Sequence, residues 1–209
     1  MDKKKFIKEY IEPIAIAILI ALFIRTFVVQ AFKIPSSSME PTLQVGDHIL
    51  VSKFIYGIRI PFTKLKLLDF KTPRRGDTIV FIYTKDPSGP SKDFIKRVIG
   101  VGGDRVDIEG NKVYINGQKI EDPWGYYDAK NEWRRSLGPV GPYEHVVVPQ
   151  DHLFVLGDNR DNSQDSRFWG FVHINEVKGK AFIIYFSWDG NAQNLFDKVR
   201  WGRFARLIY

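Results

Sequence analysis

The 209-residue chain contains no cysteine. That excludes a cysteine nucleophile, thiolate zinc sites and any disulfide framework, and leaves the compartment open. Its histidines, His48, His145, His152 and His173, show no HxxxH or comparable ligand spacing, so no metal site is expected. Acidic residues are the scarcer charge, 24 Asp and Glu against 31 Lys and Arg, for a net charge of +7. Such a balance suits an anionic partner, either nucleic acid or a phospholipid surface. Gly100-Val101-Gly102-Gly103-Asp104 is glycine-rich, but it lacks the dinucleotide fingerprint and no helical pattern follows. Long apolar runs are scarce as well: the chain has one.

That run extends from Ile11 to Phe32, and about 20 helical residues cross the hydrocarbon of a bilayer. Glu12 lies at its near end, and Arg25, near the far end, can snorkel to the headgroups. Lys3, Lys4, Lys5 and Lys8 precede it, which argues for an N-terminus held in the cytoplasm and a remainder facing outward. A cleavable signal peptide is the rival, with Val29-Gln30-Ala31 as a small-residue cleavage site. The run is long for a signal core, and a buried core helix would show a polar face. The expected organisation is therefore a cytoplasmic segment at 1–9, a transmembrane anchor at 10–32 and an outer domain at 33–209.

Directly after the run comes Ile34-Pro35-Ser36-Ser37-Ser38-Met39-Glu40-Pro41-Thr42-Leu43. The two prolines disfavour helix at the residue before each, so the stretch reads as a stiff, extended loop presenting serines, or as a serine-rich linker. Strand signals then alternate with turns. Gly46-Asp47 reads as a turn, and the β-branched and aromatic run after it, His48–Tyr56, as a strand. Residues 57–75, with Arg59, Lys64, Lys66, Lys71, Arg74 and Arg75, read as a basic loop. Arg75-Gly76-Asp77 precedes a strand over 78–83, and Asp86-Pro87-Ser88-Gly89-Pro90 is a breaker. Short strands at 106–108, 112–115 and 118–120, punctuated by Asn116-Gly117, predict an antiparallel meander. Residues 121–145 show no period and read as a surface excursion.

In Phe94-Ile95-Lys96-Arg97-Val98-Ile99 each strand face carries one cation between two apolar side chains. If a face is buried, its lysine loses the charged form easily, whereas an arginine cannot respond. Lys96 is thus a candidate base and Arg97 a surface or structural charge; the alternative is two solvated cations on an edge strand. Farther on, a strand over 152–156 runs into Gly157-Asp158-Asn159-Arg160-Asp161-Asn162-Ser163-Gln164-Asp165-Ser166-Arg167. This is no calcium loop: Arg160 and Ser163 stand where a ligand and a glycine are required, and no Glu closes it. It reads as a hydrogen-bonded network of Asp and Arg pairs. The basic and aromatic residues of Arg200–Tyr209 suit a phospholipid surface or form a solvated tail.

Five stretches, in order, resemble the boxes of bacterial type I signal peptidases: Pro35–Leu43, Gly46–Val51, Arg75–Asp77, Phe94–Arg97 and Gly157–Arg167. Ser37 stands where many members have Gly. The resemblance implies a mainly β fold, with an N-terminal transmembrane helix followed by a mostly antiparallel β-sheet domain of the kind shared with self-cleaving repressor peptidases. It implies Ser38 as nucleophile, Lys96 as general base, Ser163 as the hydroxyl orienting the amine, and Ser36 with the Ser38 N–H as oxyanion donors. Asp165 and Arg167 would form a supporting pair, Asp158 and Asn159 the structural part of the loop. Ile34, Pro35, Met39, Leu43, Phe94 and Ile95 would line pockets for small side chains at an Ala-x-Ala-like site. The implied activity is removal of signal peptides from exported preproteins at the bacterial cytoplasmic membrane. It needs no cofactor and no metal. The implied partners are preproteins, the phospholipid membrane and the export translocon, with no nucleic acid. A repressor-type peptidase would carry a DNA-binding helix-turn-helix where the apolar run stands, and a non-enzymatic lipid-binding module would not explain the three boxed residues Ser38, Lys96 and Ser163.

Overall fold

The computed structural model of the chain describes residues 7–59, 66–68, 70–84, 91–128, 130, 146–194 and 196–209. The lysines at 3–5, the breaker at 86–90 and the greater part of the 121–145 excursion lie outside these residues.

A run that is apolar on every side has no face to turn toward a core, and the helix α1 (Ile7–Val28) has no buried residue. Its centre, Glu12–Phe23, is α-helical, and its ends are wound as π turns. The helix stops earlier than the apolar run does. Val29 is extended, and Val29–Lys33 is not helix but the edge strand β1, paired antiparallel with β2 (Asp47–Ser52). The β-branched pair Val28-Val29 weakens helix there, and the partner strand takes the freed backbone groups.

The other strands are β3 (Ile58–Arg59), β4 (Lys66–Leu68), β5 (Thr78–Tyr83), β6 (Lys92–Val101), β7 (Arg105–Glu109), β8 (Lys112–Ile115) and β9 (Gln118–Lys119). They continue with β10 (Val146–Val147), β11 (His152–Leu156), β12 (Val172–His173), β13 (Val177–Ser187) and β14 (Arg206–Leu207), and a short helix, α2 (Ser166–Trp169), stands between β11 and β12. The main sheet runs β1-β2-β13-β5-β6-β11-β12 with β14 also on β13, antiparallel throughout. A second sheet, β10-β7-β8-β9, contains the meander. The 57–75 stretch holds the two-stranded ribbon β3–β4 rather than loop alone.

The 200–209 stretch is not a solvated tail. β14 pairs with β13, Ile208 is buried in the main core, and Arg203 is nine-tenths buried. That core joins Ile34, Met39 and Leu43 of the serine loop to Ile49, Val51, Val80 and Ile184 of three strands. Three Gly-Asp turns share one device. The N–H groups of Gln44, Arg74 and Val101 each donate to the carboxylate three residues on, Asp47, Asp77 and Asp104, at 2.8, 2.9 and 2.8 Å. The intervening glycines, Gly46, Gly76 and Gly103, take the positive φ that such turns demand.

One row of pairs crosses the sheet from the anchor: Val29 faces Ser52, Ser52 faces Lys180, Lys180 faces Ile79, and Ile79 faces Lys96. Four inter-strand steps put the Lys96 backbone roughly 19 Å along the sheet from the residue that follows the helix.

Candidate active site

The serine loop is sealed at its base. Ile34 N–H donates to Asp47 O at 2.8 Å and Gly46 N–H to Ile34 O at 3.0 Å, which extends the β1–β2 pairing to the loop's mouth. Inside, Glu40 N–H donates to Ser37 O and Leu43 N–H to Met39 O, so the segment is a coil of tight turns instead of the extended loop its prolines predict. Met39 and Leu43 are fully buried and hold the loop down. Asp47, also fully buried, ties this base to the C-terminal region. Its carboxylate accepts from Arg203 Nε at 2.9 Å, Arg203 Nη2 at 2.5 Å and Ser187 Oγ at 2.7 Å.

The polar loop 157–167 grips the serine loop from the other side. Asn159 donates its backbone N–H to Ser38 O at 3.1 Å and its Nδ2 to Ser37 O at 3.2 Å, and Asn162 Nδ2 reaches Ser37 Oγ at 2.8 Å. A side chain at Gly157 would collide with Ser38 O and Ser163 Oγ, so this close approach requires glycine. Asp165, the N-cap of α2, accepts from Gly157 N–H at 3.0 Å and from both Arg167 Nε and Nη2, at 2.8 and 2.9 Å. Arg167 Nη2 also donates to Arg160 O.

Lys96 lies on β6, flanked by β5 and β11, so neither of the adjacent cations sits on an edge strand. Only 4% of Lys96 is exposed, and Arg97 is wholly buried. The Lys96 Nζ and Ser38 Oγ are hydrogen-bonded at 2.7 Å. Burial lowers the Lys96 pKa from 10.5 to about 8, against the opposing pull of the Asp165 and Asp158 carboxylates and with a further downward push from Arg167. The Phe94 ring, on the same strand face, has its centroid 5.7 Å from Nζ. Arg97 answers burial differently: it forms a two-pronged pair with Asp158, Nε to Oδ1 at 2.8 Å and Nη2 to Oδ2 at 2.7 Å. Its Nη1 donates to the carbonyls of Gly76 and Tyr209, and the Trp124 ring covers the guanidinium at 4.4 Å.

The remaining sequence-derived positions divide. Ser36 and Pro35 are exposed; Ile34, like Met39 and Leu43, is buried in the core; Phe94 and Ile95 are half-buried. Phe94 and Ile95, neighbours on β6, point to opposite faces of the sheet and pack against different core clusters. Ser163 Oγ is buried beside Gly157 and has no hydrogen-bond partner among the described residues, so the bond expected to the Lys96 amine is not made in this arrangement. The Ser38 N–H donates no hydrogen bond among the described residues.

Several supporting residues have no signal in local sequence. Asp122 and Tyr127 bind the buried Arg160, through Asp122 Oδ1 at 2.8 Å and the Tyr127 hydroxyl at 3.2 Å. Tyr126 exchanges backbone bonds with the loop, its N–H to Asp158 O at 2.7 Å and Arg160 N–H to its own carbonyl at 2.9 Å. Residues 122–128 are thus strapped onto the polar loop, whereas their composition reads as a free excursion. A buried arginine in a sequence box needs a carboxylate, and that requirement alone could have prompted a search for Asp122.

A hydroxyl in contact with a buried, weakly basic amine, on a β domain joined without a linker to a bare apolar helix, can carry out acyl transfer next to a membrane: the class is a membrane-tethered hydrolase. Comparison with known proteins narrows it. The model of the family described as signal peptidase, peptidase S26, matches residues 7–188, and the chain belongs to that family. A signal peptidase I from Pseudomonas aeruginosa is 37% identical, over 93% of this chain and 78% of its own. Counterparts from Aquifex aeolicus and Leptolyngbya laminosa are 38% and 41% identical, over 86% and 85% of this chain and 84% and 78% of theirs. The activity is that of a bacterial type I signal peptidase, which cleaves signal peptides from preproteins.

Proposed function

We propose that this signal peptidase works through a Ser38–Lys96 dyad, and the observation that carries the reading is the 2.7 Å contact between a half-buried hydroxyl and an amine that is 4% exposed. With Lys96 neutral, Ser38 Oγ–H donates to Nζ. As Oγ attacks the scissile carbonyl, the amine takes the proton and the C–O bond forms. The oxyanion accepts from the unengaged Ser38 N–H and, in this reading, from the Ser36 hydroxyl. The ammonium then protonates the departing amine as the C–N bond breaks. Water, deprotonated by the same amine, then attacks the acyl carbon, and as the ester C–O bond breaks the ammonium returns its proton to Ser38 Oγ. In this reading the Ser163 hydroxyl, unpaired among the described residues, is the group that orients the lysine amine.

An extended substrate passing Ser38 meets the Lys96 face of β6, which carries Phe94, and the exposed Pro35, and in this reading its main chain pairs with the sheet at an Ala-x-Ala-like site. The helix Ile7–Val28 serves as the anchor and residues 33–209 as the outer domain; Lys3, Lys4, Lys5 and Lys8 favour an N-terminus in the cytoplasm at a bacterial inner membrane. Enzyme and signal peptide then share one membrane, which raises their effective concentration.

The test is a preprotein cleavage assay. Ser38→Ala and Lys96→Ala each abolish cleavage while circular dichroism and the melting profile stay those of a folded protein. Substantial turnover by either folded variant removes the dyad.

A further inference from the structure

The peptide unit between Ser37 and Ser38 carries the N–H on which the oxyanion step depends. That peptide is trans, so its N–H and C=O point opposite ways in one plane, and whatever holds the Ser37 carbonyl aims the Ser38 N–H. The carbonyl is held twice. Glu40 N–H donates to it at 3.0 Å, closing a turn with Ser38 at its second position, and Asn159 Nδ2 donates at 3.2 Å. A third bond reaches the same residue through its side chain: Asn162 Nδ2 donates to Ser37 Oγ at 2.8 Å. The two asparagines act as one clamp, because Asn162 N–H donates to Asn159 O at 3.0 Å across the single turn Arg160–Asn162. That turn is fastened from beneath by the buried Arg160, whose Nε donates to Gly157 O at 3.1 Å.

Packing of the fold does not call for the outermost of these bonds. Ser37 is half-buried, Asn162 is exposed, and neither belongs to a core cluster. Their mutual contact is the one hydrogen bond either side chain makes among the described residues. Without it the peptide keeps only the longer bonds to its carbonyl, and the plane can rock and carry the N–H off line. Resting on the dyad and on the Ser38 N–H as oxyanion donor, we propose that the contact between Ser37 Oγ and Asn162 is a positioning device for that donor, locking the 37–38 peptide plane in the orientation that meets the tetrahedral intermediate. Ser37 and Asn162 are positioning residues, and neither touches the reacting atoms. A donor aimed at an oxyanion bonds most strongly in the transition state, so loosening it lowers kcat and spares KM. The clamp makes no described bond to Lys96, so the pH dependence set by the amine stays where it is.

The test uses the full chain in detergent micelles and a peptide spanning a signal-peptide cleavage site. Ser37→Ala and Asn162→Ala each lower kcat about tenfold and leave KM within about twofold of the parent. The double variant loses no more than the worse single variant, since both remove one bond. Ser37→Thr keeps the hydroxyl and keeps the parent kcat. The apparent pKa of the kcat/KM profile and the thermal midpoint are unchanged throughout. A peptide aldehyde gives an independent readout: Ser38 Oγ adds to its carbonyl carbon, the hydroxyl proton passes to Lys96, and the former carbonyl oxygen stands where the oxyanion forms. Its inhibition constant rises by the factor by which kcat falls, whereas the matching peptide alcohol, with no carbonyl to attack, competes unchanged. Parent kcat in either alanine variant, additive losses in the double, a change confined to KM, a shifted pH profile, or a kcat loss that tracks a lowered thermal midpoint overturns the proposal. Ser38→Ala and Lys96→Ala separate it from the reading beneath it. If either still cleaves, the dyad falls and this inference with it; if both are dead while Ser37→Ala keeps full kcat, the dyad stands and the clamp alone is lost.

Discussion

In the proposed dyad Lys96 meets two opposed demands: it must lose its charge near neutral pH, yet it stands close to Asp158 and Asp165, which favour the charge. Both carboxylates are already committed, Asp158 to Arg97 and Asp165 to Arg167, so burial prevails and the pKa falls to about 8. Two outcomes follow. Cleavage declines as pH falls below about 8, in proportion to the neutral fraction of the amine, and a flat kcat/KM profile between pH 6 and 9 counts against Lys96 as the base. Stability has its own sign. The folded pKa lies below the unfolded one, so the cost of burying the charge is fully present below about pH 8 and is relieved as pH rises toward 10.5. Lys96→Met is therefore inactive but more stable at pH 7, by roughly 3 kcal/mol, as read by denaturant unfolding. Arg97, one residue on and also buried, has its guanidinium satisfied by the Asp158 carboxylate and two carbonyls.

At the scale of elements, the site is the meeting of three segments: the serine loop, strand β6 and the polar loop, with the 122–128 strap behind the last. The strap touches neither Ser38 nor Lys96 through any described bond, yet it holds Arg160 and the Asp158 carbonyl and so fixes Asn159, which holds Ser38 O. Asp122→Asn leaves the Arg160 guanidinium buried with a weaker partner. The expected cost is about 2 kcal/mol of stability, with kcat lowered at least about tenfold and KM nearly unchanged, as steady-state kinetics on a peptide substrate would measure. A KM effect alone would place the strap against substrate. Glycine at 157 obeys a similar logic. Gly157→Ala forces apart Ser38 O and Ser163 Oγ, so activity falls with little change in bulk secondary structure, checked by assay beside circular dichroism.

At the scale of the molecule, anchor and sheet are one continuous piece: the helix ends at Val28 and the first strand starts at Val29. No residue of the helix is buried, so its removal costs the β domain no packing. Deletion of residues 1–25 is expected to leave the thermal midpoint of the domain unchanged and to abolish vesicle flotation. A large loss of thermal stability would mean that the helix packs on the domain. Three of the arginines that contribute to the net charge of +7, Arg97, Arg160 and Arg203, are paired with carboxylates in the core.

Periodicity and order in sequence determined what depends on neighbours along the chain. The bare apolar helix, the alternating strand read at 93–100 and the meander were legible, because strand alternation and turn signals are local properties. Tertiary structure alone decided where the helix yields to β1, since only a partner strand makes Val29–Lys33 extended. It decided that Met39 and Leu43 hold up the loop from within, that Ser163 Oγ stands unpaired, and that Asp122 and Arg203 answer charges far away in sequence. Those are contacts between residues up to 156 positions apart, and burial, which sets both the lysine's basicity and the arginines' need for partners, exists only once the sheet has closed over them.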